Sequence, residues 1–240
     1  MPPGDHPPDG VIGHLLRQRA CRAYAADPVP DDDLVAMLEA ATHAPSAENR
    51  QPWVFVIVRD PAVRRAVDDV ARRLWDARGR DHSRGRLGPR FFAEVDAFVG
   101  RGHGGAPVVV AAAGDGRDGT PPAVLASSVF PAVQNLLLAA AALGYGSAMT
   151  TLAAQDPAAL SAAVGLPDGV RPFAVVPLGR PAAPLGPARR RPVGAVAHLD
   201  RFGSPFGAPS GEVSGGGSGA AGRPRPAPPP AGSARRSRPR

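Results

Sequence analysis

The sequence predicts an α+β fold with helices wrapped on a mixed sheet, and three observations predict it. Segments with apolar residues at helical spacing alternate with short β-branched runs from residue 10 to residue 203. Hydrophobic residues make up 43% of the 240, enough to bury a sizeable core in one large domain. The longest apolar stretch, 132–143, is hydrophobic nearly all round apart from Gln134 and Asn135. It must therefore be covered on most sides, by its own fold or by a partner subunit.

A first helix is expected to end at the arginines Arg17, Arg19 and Arg22. Residues 31–44 open with three Asp and carry Leu34, Leu38 and Ala41 on one face, the pattern of a capped amphipathic helix that Pro45 ends. Residues 54–58 fit a buried strand, and Asp60-Pro61 opens a helix through Arg73 with Val63, Val67 and Val70 facing inward. Residues 75–105 are rich in Arg and Gly and read as a variable, mobile insertion over a pocket. One short helix is expected there, with Phe91, Phe92, Val95 and Phe98 along one side. The second half repeats the alternation: strand 107–113, long helix 124–143, short strand 147–152, helix 156–164 and a final strand 171–178.

The formal charge of +7 resembles a nucleic-acid footprint until it is divided along the chain. Residues 204–240 carry +5, whereas residues 1–203 hold 22 arginines against 20 acidic residues. All 28 basic residues are arginine, which reads as the codon bias of a GC-rich genome. Three regions follow: a disordered start at 1–9, a folded domain at 10–203, and a disordered tail at 204–240, Gly/Ser-rich and then Pro/Arg-rich. Nucleic acid could be contacted only through that tail. The single cysteine, Cys21, can neither close an intramolecular disulfide nor complete a zinc site, and no leader or membrane span is visible. A cytoplasmic protein is expected.

Familiar catalytic signatures are missing. There is no GxSxG, HExxH or GxxxxGK[ST], which leaves hydrolase, zinc-protease and P-loop readings without support. The one GxGxxG, at Gly114, Gly116 and Gly119, places Asp115 and Asp118 where a pyrophosphate would lie, and reads as a surface loop. His43 reads as a packed or capping residue. In 44–53, APSAENRQPW, a helix broken by Pro exposes backbone groups that could grip a flat polar ring; an ordinary helix-to-strand turn would look the same. Arg17, Arg19 and Arg22 on one side and the arginines at 189–191 on the other could converge on one phosphate, where guanidinium makes bidentate charge-assisted hydrogen bonds.

The ordered set RQRACRAY (17–24), PVPDDDLVAMLEAATHAPSAENRQPWVFVIVRDP (28–61), APVVVAAAG (106–114), AVQNLLLAAAALGYGS (132–147), GLPDGVRPFAVVPLGRP (165–181) and RRRP (189–192) resembles the nitroreductase family of FMN-dependent oxidoreductases. The resemblance implies a homodimer with two FMN sites at the subunit interface, each built from both chains. By the same resemblance, Arg17, Arg19 and Arg22 would contact the FMN phosphate and ring. Where the family's RRSxRRF has an Arg and a hydroxyl, this chain has Gln18 and Ala20. Pro45, Ser46, Ala47 and Asn49, with Gln51 close by, correspond to a turn that the partner subunit lays against the flavin. Thr150, Thr151 and Leu152 correspond to the segment facing the ring's N5 edge. Arg189 and Arg191 match the basic pair near the C-terminal end that holds the phosphate.

The implied chemistry is that of a cytoplasmic flavoprotein. Hydride passes from NADH or NADPH through FMN N5 to small flat acceptors such as nitroaromatics or quinones, in ping-pong order. No side chain is obligatory, and Arg22 is the candidate for electrostatic support of the reduced ring. Two alternatives accompany this reading: a specialised member that fragments flavin or removes halogen, and a protein that binds or sequesters flavin without turnover.

Overall fold

The computed structural model describes residues 10–206, so the 1–9 start and most of the expected tail lie outside the described residues. The described chain falls into two units, one up to Arg189 and one from Arg190 onward. In the second, a turn at Val193–Ala195 precedes a small closure in which Leu199 N–H donates to Ser204 O at 2.9 Å and His198 bridges Pro205. Local order thus reaches residue 206, past the boundary expected at 204.

In the first unit the order is α1 (Val11–Arg17), α2 (Asp31–Thr42), β1 (Trp53–Val58), α3 (Pro61–Leu74), α4 (Arg80–Arg84), α5 (Pro89–Gly100), α6 (Gly102–Gly105), β2 (Val108–Asp115), α7 (Pro122–Ala142), β3 (Gly146–Ser147), α8 (Pro157–Val164) and β4 (Val170–Gly179). The sheet order is β1-β2-β4-β3, and all four strands pair antiparallel. The mixed character expected of the sheet is confined to one parallel bridge, Ala20 to Ser147. A bulge in β4 shifts the register between Ala112 and Ala113, next to Pro172, which has no N–H to give the ladder.

Strand pleating explains how helices cover both faces. Val108, Val110 and Ala112 point to one side and pack with Leu34, Met37 and Ala41 of α2 and Val129, Val133 and Leu136 of α7. Val109 points the other way, with Val175, onto Val67 and Val70 of α3 and Leu160 of α8. The long helix α7 is apolar and long enough by composition to cross a bilayer, but its Val129, Ala132, Val133 and Ala140 are fully buried against the sheet and α2. It is the core helix of this fold.

Two expectations are corrected. β1 is not a buried strand: it is a sheet edge, half-covered, with Ile57 39% exposed, because only β2 flanks it. Within 75–105 the expected short helix is α5, and the stretch before it is helical as well: α3 runs through a π-helical stretch at Trp75–Gly79 into α4. Phe92, Val95, Phe98 and Val99 recur at helical spacing on α5 and, with Trp75, build a third apolar cluster with Cys21 and Tyr24. Phe91 leaves that face and is 40% exposed. Finally, α1 ends at Arg17, and Arg19 and Arg22 lie beyond it in a segment bonded to the sheet edge.

Candidate functional site

Residues 18–25 run beside the outer edge of the sheet. Cys21 N–H donates to Ser147 O and Ala25 N–H to Arg180 O, both at 2.9 Å. Gly146 allows this approach, since a Cβ there would sit 2.7 Å from Cys21 Sγ. Tyr24 OH donates to Cys21 O at 2.7 Å and anchors the segment from beneath. Burial pushes the Cys21 thiol up from its ordinary value, so it is an inert packing group and no nucleophile.

Anchored this way, the segment forms one wall of a cleft of about 520 Å³ lined by Arg19, Ala20 and Arg22, by residues 183–187, by Arg189, and by Arg90, Glu94 and Arg101. Arg19 donates to Gly186 O at 3.1 Å and Pro187 O at 2.6 Å, which ties the two ends of the domain together. Arg22 Nη1 lies 3.0 Å from Glu94 Oε1, and its guanidinium covers the Phe91 ring at 4.8 Å. Arg19, Arg22 and Arg189 therefore share one cleft, as the two-ended arrangement of arginines suggested. Arg17 turns instead to a neighbouring cavity of about 260 Å³ with His14, Gln18 and Tyr145. Arg191 belongs to the second unit, where it donates to Ala195 O at 2.7 Å.

The wall from α5 was missed: Arg90, Glu94 and Arg101 are candidate site residues that the sequence reading passed over. The available signal was arginine on either side of the expected helix that carries Phe91, Phe92, Val95 and Phe98. Trp75 and Phe92 pack in the third cluster, and Trp75 Nε1 donates to Asp96 at 2.7 Å.

Thr150 continues the same sheet edge, exchanging hydrogen bonds with Val175 at 2.9 and 2.8 Å, while Leu152 N–H donates to Thr150 Oγ1 at 3.3 Å. Thr151 between them is exposed. The turn 45–51 lies elsewhere. Trp53, just after it, pairs with Gly114 and so with Arg171 at the start of β4, whereas Gly146, beside the arginine segment, pairs with Gly179 at the end of β4. Eight residues of strand separate those positions along β4, about 26 Å, and the two sites lie on opposite edges besides. One chain does not bring them together.

The turn has a stiff conformation of its own. Glu48, Asn49 and Gln51 all have positive φ, at 53°, 54° and 51°. Gln51 N–H donates to Ser46 Oγ at 3.0 Å, Ala47 N–H to Ser128 Oγ of α7 at 3.2 Å, and Gln51 Nε2 to Asn49 Oδ1 at 3.2 Å. Pro45, Asn49 and Gln51 are exposed. The glycine-rich loop after β2 holds no pyrophosphate geometry; its Asp118 pairs with Arg50 at 2.8 Å. Arg117 holds the Asp115 carboxyl down at about 2. His43 caps the end of α2, its Nδ1 2.7 Å from Glu39 O.

The arginine segment, the PSAEN turn and the sheet between them match the Nitroreductase family over residues 15–180. The chain belongs to the nitroreductase family. An Archaeoglobus fulgidus protein provisionally named NADH dehydrogenase/NAD(P)H nitroreductase is 28% identical over 169 residues, 70% of this nitroreductase-family chain and 83% of that protein. A Thermus thermophilus NADH dehydrogenase is 54% identical over 56 residues, a match that spans 23% of this chain and 27% of that protein. Among solved structures, a provisionally named nitroreductase of Desulfovibrio desulfuricans in complex with FMN superposes with a TM-score of 0.60 at 27% identity, covering 81% of this chain and 98% of that one.

Proposed function

We propose that this nitroreductase-family chain is a cytoplasmic, homodimeric FMN oxidoreductase that uses NADH or NADPH to reduce small flat acceptors such as nitroaromatics or quinones. The observation that carries the reading is the convergence of Arg19, Arg22 and Arg189 on one cleft with a single carboxylate, Glu94. A guanidinium-rich cleft of this size fits a phosphate-bearing aromatic cofactor.

When bound, FMN would supply the hydride and electron transfer between the nicotinamide and the acceptor. Arg19 and Arg189 hold its phosphate. Arg19 is already pinned by two carbonyls, so little side-chain entropy remains to be lost on binding. Arg22, braced by Glu94 and Phe91, sets positive charge on the wall where the ring's pyrimidine end would collect negative charge. Thr150 N–H is spent on Val175, which leaves exposed Thr151 as the residue that would meet the ring edge. The helical segment 75–105 closes the mouth.

The same geometry supports the homodimer. The turn with Pro45, Ser46, Ala47, Asn49 and Gln51 is stiff, exposed and at the opposite corner of the sheet from its own chain's cleft. A second copy, related by a two-fold axis, would supply that turn to the first copy's cleft.

The test is an anaerobic visible spectrum of the purified protein before and after NADPH or NADH. A flavin band near ~450 nm that bleaches is the expected result, and the faster donor names the physiological one. Flavin that stays oxidised with both donors would replace this reading with a flavin-sequestering one. Failure to bind added FMN would remove the assignment.

A further inference from the structure

The charge of the cleft does not close with FMN alone. Five arginines and one glutamate line it, a net charge of +4, and a phosphate monoester brings about −2 at most. The domain as a whole is nearly balanced, with 22 arginines against 20 acidic residues in residues 1–203, so the excess is local to this wall.

The surplus maps onto two side chains. Arg22, braced by Glu94 at 3.0 Å, is taken by the flavin ring on the proposed reading, and Arg19 points its guanidinium at the Gly186 and Pro187 carbonyls. Arg90 and Arg101 line the same cleft, and among the described residues neither guanidinium has an ion-pair or hydrogen-bond partner. They stand at the two ends of α5, eleven residues apart, about 16 Å along the helix axis. Arg101, at the C-terminal end, suits the helix dipole. Arg90 works against it: it lies in a first turn with no acidic residue and no side-chain cap, where a cation is unfavourable until an anion arrives.

We infer that Arg90 and Arg101 form a second anion subsite, which takes the negatively charged group of the substrate that shares the cleft with FMN. The group is a phosphate of the nicotinamide dinucleotide or a carboxylate on the acceptor. The inference rests on the FMN reading of the cleft and adds the class of substrate that the cleft selects.

The experiment uses the full chain loaded with FMN and three variants, Arg90→Gln, Arg101→Gln and the double. Binding of NADP⁺, NAD⁺, 4-nitrobenzoate and the neutral 4-nitrobenzamide is read by calorimetry, and FMN affinity by quenching of flavin fluorescence. At least one anionic probe should lose about tenfold in affinity per arginine removed, with FMN affinity within about twofold and 4-nitrobenzamide unchanged. Loss for NADP⁺ alone assigns the ribose phosphate, equal loss for NADP⁺ and NAD⁺ the pyrophosphate, and loss for 4-nitrobenzoate alone an acceptor carboxylate. Arg90→Lys and Arg101→Lys should restore part of the loss, which a folding defect would not.

Unchanged affinity for all three anions would overturn the subsite, as would an equal loss of FMN affinity, since the arginines would then serve the cofactor's own phosphate. If the wild type takes up no FMN, the oxidoreductase reading fails by itself. The same titrations on that cofactor-free chain still decide the subsite, and absence of arginine-dependent anion binding overturns it.

Discussion

Arg50 Nη1 stands 2.8 Å from Asp118 Oδ2 and thereby joins the turn that follows α2 to the loop that follows β2. The same guanidinium reaches Glu48 at 3.2 Å and Thr120 Oγ1 at 2.5 Å. Three consecutive-range residues with positive φ need such bracing, because each non-glycine held there stores strain. Arg50→Ala should speed amide exchange at Asn49 and Gln51, whose N–H groups bond within the turn, by about threefold or more while the β2–β4 amides stay protected. Exchange that is unchanged in the turn would show that Ser46 and Ser128 hold it alone.

Gly104 offers a second test. Its φ is +72°, and a Cβ there would collide with the Arg22 carbonyl oxygen, whereas Gly105, at φ +76°, has open space around the same position. Both alanine variants incur the cost of positive φ, of order 1 kcal/mol. Only Gly104→Ala must also push the Arg22 segment away from its place, so it should be the less stable of the two and, on the proposed function, the weaker binder of FMN. Denaturant melts and flavin titrations of the pair measure both differences.

These two sites also show how far the sequence could be read. The turn at 44–53 was legible as a motif, since Pro45 after an apolar helical face must break the helix. Its partner was not legible: nothing local to Arg50 announces Asp118, 68 residues later, and the GxGxxG loop suggested only what it could not bind. The aromatic cluster around Trp75 was hidden for a related reason. Its π-helical stretch and its contacts with Cys21 and Tyr24 are decided by burial across the chain, which no short window of Arg and Gly residues reveals.

Leu136 is 1% exposed at the contact between α7, α2 and the sheet. Leu136→Ala should destabilise the domain by about 2–5 kcal/mol, since the removed methyls leave a cavity that close-packed neighbours fill only in part. Urea titration of wild type and variant gives the difference. A change below about 1 kcal/mol would mean that α7 is loosely packed.

Asp60 caps α3. Hydrogen bonds from Val63 N–H at 3.0 Å and Ala62 N–H at 2.8 Å hold its carboxyl below the usual carboxylate range. A folded pKa below the unfolded value of about 3.9 gives stability that is present above that pH and is lost as pH falls through the folded pKa. Asp60→Asn keeps an acceptor oxygen and removes the charge. Its Tm should fall below that of wild type at neutral pH, and the gap should close as pH falls through the folded pKa of Asp60. A gap that stays constant with pH would assign the cap to geometry without charge.

By itself the sequence determined what local chemistry can determine. Apolar spacing of 3.6 and 2 residues placed α2, α3, α7, α8, β1, β2 and β4 to within a few residues at their ends, Asp60 and Asp156 announced the helices they cap, and the ordered motif set pointed to the nitroreductase family. Tertiary structure alone decided the site. The order β1-β2-β4-β3 sends the 45–51 turn and the Arg19 segment to opposite corners, brings Arg189 to the cleft of Arg19 and Arg22, and sets Glu94 on Arg22 from 72 residues away. The reason is physical: pairing of strands and closing of a cleft are long-range choices made by the burial of the whole sheet, whereas caps and amphipathic faces are settled within a few residues.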